Sequence, residues 1–241
     1  MTLGHGPAFF RPANRHCVGL PSGLQTALAL FLLATVVIAS AGWSVSGLVD
    51  GPLGNAWATL LQAAVFLVLT GVVAGIGWFV DRRRIADLGL SLDGSWYREA
   101  GVGFGVGLAM ATTVVGIGLA TGVATVAGTF QIRSGVALPA PGTGVVLATL
   151  LYVPFFLGVG ILEEVILRGY LLTNVAEGLR TILDDRAAVV AAVCATALLF
   201  GVLHAANPGG TALGVVNVGL AGLLLGGAYA LTGRLALPVG V

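Results

Sequence analysis

Residues 144–168 read GVVLATLLYVPFFLGVGIL, then EEVILR. The first part, Gly144–Leu162, is almost wholly apolar and long enough to cross a hydrocarbon core, which takes about 20 helical residues. The second part puts Glu163, Glu164 and Arg168 directly after that run. Windows of the same apolar character lie at Leu24–Ala41, Ala56–Val80, Ala100–Ala127, Ala187–Ala206 and Thr211–Thr232, and a shorter one at Leu235–Val241. The fold expected is therefore all-α: a polytopic transmembrane helical bundle with six complete spans and the start of a seventh. Only helices or closed barrels satisfy every backbone group in lipid.

Composition agrees. Of 241 residues, 57% are hydrophobic and 9% charged, against about 25% charged in soluble domains. Mean hydropathy is +1.02. A soluble enzyme, a disordered chain and a disulfide scaffold are excluded, and Cys17 and Cys194 have no metal-ligand spacing. Net charge of +1 provides no field for nucleic acid. The partner that composition implies is the lipid bilayer.

The arginines orient the bundle. Arg11, Arg15, Arg82, Arg83, Arg84, Arg98, Arg180, Arg186 and Arg234 fall on one side, and Arg133 alone on the other. The positive-inside rule then makes the tail, residues 1–23, cytoplasmic, in a multi-pass protein of the cell membrane. The first apolar run has no A-x-A-like cleavage site after it and reads as a retained helix. Residues 24–143 form an N-terminal group of helices. Within it the loop at 81–99 is expected to be interfacial, with Trp96 and Tyr97 at headgroup level. Pairs at Gly101/Gly105, Gly103/Gly107 and Gly222/Gly226 read as close helix packing. Asn217 reads as an interhelical hydrogen-bonding residue.

Ionisable groups inside a span are costly and mark function by default. Glu164 and Arg168 are four apart, share a helix face and stand in the favourable order for an ion pair. Glu163 points about 100° away and lacks a local cation, so it is free to act as a base. Phe200 and His204 are also four apart, and Asn207 follows before Pro208-Gly209-Gly210 stops the helix. The midpoint of Glu163 and His204 falls in the polar turn Glu177–Arg186. A helical hairpin would set both at similar depth, where a carboxylate and an imidazole can hold and deprotonate a water.

At these residues the sequence resembles the CAAX protease and bacteriocin-processing (CPBP, or Abi) family of intramembrane proteases, which includes the type II CAAX prenyl endopeptidases. The resemblance rests on Glu163-Glu164-x-x-x-Arg168 followed by Phe200-x-x-x-His204, with Gly169-Tyr170-Leu171-Leu172 after the first motif. It covers about residues 145–241, and more weakly the 81–99 loop, which makes residues 144–241 the expected catalytic core. It implies that Glu163 is the general base, that His204 helps hold the water, and that Glu164 and Arg168 support them. Phe200 and Asn207 are the further supporting residues. Substrates in the eukaryotic branch are prenylated C-terminal tails, while prokaryotic members are linked to peptide maturation and bacteriocin immunity. The family's third motif, His-x-x-x-Asn, would begin after Val241, so the core is expected to be C-terminally incomplete. Zinc, if bound, would have Glu163 and His204 as ligands. The alternative is a non-catalytic immunity-type binding protein or small transporter, using the same cluster for packing or proton binding.

Overall fold

The computed structural model describes residues 54–79, 81–126, 128, 143–206 and 210–241, with residues 23, 27, 28, 30, 31, 34 and 35 before them. Most of the tail, most of the expected span Leu24–Ala41, and Arg133 lie outside the described residues. Every regular element described is helical. The long helices are α1 (Gly54–Phe79), α2 (Gly94–Ala120), α3 (Thr143–Glu164), α5 (Asp185–Leu203) and α6 (Ala212–Thr232). A π-helical segment, Val165–Leu172, joins α3 to α4 (Thr173–Leu179), and α7 is Ala236–Gly240. Five helices are long and apolar enough to span a membrane: Thr59–Phe79, Gly94–Ala120, Thr149–Leu179, Asp185–Leu203 and Ala212–Thr232. They correspond to the five expected windows that fall within the described residues.

The boundaries differ where capping or packing overrides hydropathy. The span expected to end at Leu162 continues to Leu179, because Glu164 and Arg168 neutralise each other inside the bundle. The 81–99 loop is not one interfacial segment. Asp93 accepts a hydrogen bond from the Trp96 amide and caps α2, so residues 94–99 are helical. Trp96 is buried and its Nε1 donates to the Gly89 carbonyl at 3.0 Å, while Tyr97 stays exposed. Asp184 caps α5 through the Arg186 and Ala187 amides. Residues 236–240 form the short helix α7 within the apolar stretch Leu235–Val241, with Leu235, Ala236 and Pro238 buried.

The centre of the core is the π segment, all eight residues of which are buried. Around it stand Phe66 of α1, Leu88, Leu162, Phe200 and Tyr229. α1 packs on α3, α5 on α6, and α2 chiefly on α7. In lipid no hydrophobic force drives helices together, so packing relies on close contact between small residues. A Cβ on Gly222 would sit 2.9 Å from the Ala197 Cα, and one on Gly103 would collide with the Leu237 carbonyl. Two of the three glycine pairs thus mark helix contacts. The third, Gly101/Gly105, faces open space.

Candidate active site

Glu163 and Glu164 end α3, and the helix widens into the π form immediately afterwards. Single π turns inside α-helices recur at functional sites because they shift side-chain register without breaking the backbone ladder. Glu164 Oε1 accepts from Arg168 Nη1 at 2.8 Å, with both side chains buried. The Arg168 guanidinium lies 4.5 Å from the centroid of the Phe200 ring. Phe200 in turn meets His204 edge to face, with ring centroids 4.5 Å apart. A buried cation, an aromatic ring and an imidazole therefore stack in sequence across the α3–α5 hairpin.

His204 closes the circuit. It caps the C-terminus of α5, where the last carbonyls have no helical partner of their own. Its Nδ1 lies 2.8 Å from the Phe200 carbonyl. A carbonyl only accepts, so Nδ1 donates to it, and in the neutral ring Nε2 is then the acceptor. That Nε2 is 4.0 Å from Glu163 Oε1. The gap exceeds a direct hydrogen bond and suits one bridging water. Their side chains are 24% and 32% exposed, so both can be reached, unlike Glu164 and Arg168. In the buried pair, Glu164 Oε2 and Arg168 Nη2 have no hydrogen-bond partner.

The structure therefore brings together Glu163, Glu164, Arg168, Phe200 and His204. Asn207 lies outside the described residues. Glu163 and His204 would be the donors to a metal, and catalytic zinc takes three protein ligands. Glu164, the nearest further carboxylate, is committed to Arg168. Among the described residues no group of three or more His, Cys, Asp or Glu gathers. Among the described residues, Glu163 and His204 supply two donors, one fewer than catalytic zinc takes.

Sequence reasoning missed a second polar network, one face of the same long helix further on. The Tyr170 hydroxyl donates to Asp81. Arg83 is buried and donates to Asn174 Oδ1 at 3.0 Å and Glu177 Oε2 at 2.6 Å. The Asn174 amide donates to the Tyr170 carbonyl at 3.0 Å. Tyr170, Asn174 and Glu177 recur at helical spacing, which was a usable signal. Nothing in Arg82-Arg83-Arg84 shows which arginine turns inward.

Residues 145–241 match the family model described as type II CAAX prenyl endopeptidase Rce1-like. The match covers both motifs and is the CAAX protease family identified from them. No curated protein and no solved structure matches the chain. Residues 145–241 are thus similar to CAAX-protease-type membrane peptidases, and the chain has several helices long and apolar enough for a multi-pass membrane protein.

Proposed function

We propose that the protein is an intramembrane endopeptidase in which a water held between Glu163 and His204 attacks the peptide carbonyl. The observation carrying this reading is the 4.0 Å separation of Glu163 Oε1 and His204 Nε2. Two acceptors at that distance take both protons of one water and leave its lone pairs free. The water oxygen bonds to the carbonyl carbon as one proton passes to the Glu163 carboxylate. The tetrahedral intermediate then collapses, the C–N bond breaks, and protonated Glu163 returns that proton to the departing amine. His204 accepts the second hydrogen bond throughout and directs the water. Glu164 and Arg168 hold the helix register that aims Glu163, and Phe200 carries that order to His204. Asn207, three residues after His204 in the sequence, is the further supporting residue.

The substrate is a peptide or protein segment presented at the membrane, prenylated or not. The arginine distribution supports a cytoplasmic N-terminus in the cell membrane. The test is Glu163→Gln in full-length protein reconstituted in vesicles, with lipidated and unlipidated peptides compared. Removing a general base lowers the rate by about 10²–10⁴. Cleavage should fall by that factor while expression and thermal unfolding stay those of the parent. Unchanged cleavage overturns the peptidase assignment of this site and favours a binding or transport role.

A further inference from the structure

The helix α6 turns one face to the bundle and another away from it. Gly222, Leu225, Gly226 and Tyr229 are buried against the protein. The opposite face carries Leu213, Asn217, Leu220, Leu224, Gly227 and Leu231. These six follow one another at alternating steps of four and three. That is the spacing of the contact seam of a left-handed two-helix coil. The four leucines are exposed, Leu213 by 78% and Leu231 by 83%. In front of Gly227 there is open space, with nothing within 4 Å of where a Cβ would be.

Leucines facing outward need only lipid. Asn217 needs more. It is exposed, and its side chain makes no hydrogen bond among the described residues. Among the described residues of the candidate spans, it is the one amide side chain left exposed. It stands five residues inside α6, about 8 Å from the helix end at 1.5 Å per residue, farther along the axis than so short a side chain extends. An unpartnered amide in hydrocarbon is costly. Lipid tails have nothing to offer it.

We infer that this face of α6 is the self-association surface of the protein, with Asn217 paired to Asn217 of a second copy across a two-fold axis. An amide carries a donor and an acceptor in one plane, so it complements itself. A two-fold axis through an inward seam position sets each such residue against its own copy. Two reciprocal N–H···O=C bonds form, the leucines interdigitate on either side, and Gly227 lets the backbones approach. A polar residue at one seam position also specifies register and a two-stranded state. The surface lies on the side of α6 away from α5 and does not depend on the peptidase reading.

The full chain is tested in phosphatidylcholine–phosphatidylglycerol vesicles. With Cys194→Ala and a fluorophore on Cys17, single-molecule photobleaching across protein-to-lipid ratios should give a monomer–dimer equilibrium. Asn217→Leu keeps an apolar outward face and should raise the dissociation constant about three- to twenty-fold, the range of measured interhelical hydrogen bonds in membranes. Asn217→Gln should restore most of it. In a chain with Cys17→Ser and Cys194→Ala, Leu220→Cys should oxidise to a dimer. Leu198→Cys, 69% exposed on α5, should not. Monomers at every dilution overturn the inference, as do equal cross-linking at both cysteines or an unchanged dissociation constant in Asn217→Leu of normal thermal stability.

Discussion

At the residue scale the Glu164–Arg168 pair separates structural from chemical carboxylates. Two adjacent glutamates share a composition and a depth, yet one is sealed against a guanidinium and the other is reachable beside His204. Breaking a buried pair by removing one partner costs about 3–5 kcal/mol, because a charge is left without its counter-ion. Arg168→Met should therefore destabilise the protein by that amount in detergent unfolding. The double variant Glu164→Leu/Arg168→Met should recover most of the loss, since apolar replacements of a whole pair are often neutral. If the double variant is no more stable than Arg168→Met, the pair is not the energetic unit. Both variants should still lose cleavage, because the register that aims Glu163 goes with them. The two glutamates and the arginine were legible from an i, i+4 spacing alone. The proton on His204 Nδ1 was not, because it depends on which carbonyl the ring meets at the end of α5.

At the element scale, one arginine ties the start of α2 to the turn before α7. Arg234 donates to Ser95, Glu99, Ser91 and both Asp93 carboxylate oxygens, at 2.7–2.9 Å. The Leu235 amide adds a bond to the Gly89 carbonyl at 3.0 Å. Arg234→Ala should raise hydrogen exchange across residues 235–241 while leaving α5 and α6 protected; uniform loss of protection would contradict a local latch. The Ser95 hydroxyl, then the Trp96 amide and Arg234, hold the Asp93 carboxyl well below the usual carboxylate range. A depressed folded value contributes stability above the ordinary pKa of about 3.9 and loses it as pH falls through the lower one. The latch should therefore be indifferent to pH between 5 and 8 and open only in stronger acid, as exchange at residues 235–241 would record. Gly103→Val should loosen the same junction from within, since its Cβ would meet the Leu237 carbonyl. Overpacking of this kind costs about 1–3 kcal/mol, readable as a lower midpoint of thermal unfolding.

At the scale of the whole molecule, the arginine asymmetry makes a topological prediction. In a chain with Cys194→Ala, a membrane-impermeant thiol reagent should label Cys17 in inverted vesicles and spare it in right-side-out ones. The opposite pattern would reverse the bundle. This prediction belongs to the chain as a whole, because insertion responds to charge summed over loops rather than to any contact.

Helical class, span positions and the two motifs were determined by the sequence, since hydrophobic length and residue spacing are properties of the chain itself. Hydrocarbon allows few backbone solutions, so an apolar run of sufficient length settles its own conformation. Only the tertiary structure decided that the fourth span continues to Leu179 through a π segment, that Trp96 turns inward, and that Arg83 rather than its neighbours is buried. Those outcomes depend on partners far away in sequence: Leu88 and Leu235 around the π segment, the Gly89 carbonyl under Trp96, Asn174 and Glu177 around Arg83. Asn217 shows the same limit in reverse. Its sequence position suggested a bond within the bundle, and packing turned it outward, because the small residues that bring α6 against α5 lie on the opposite face. The distance between Glu163 and His204 is of this second kind too. Spacing predicts equal depth along the hairpin, and only the packing of α5 against the π segment brings the two side chains within reach of one water.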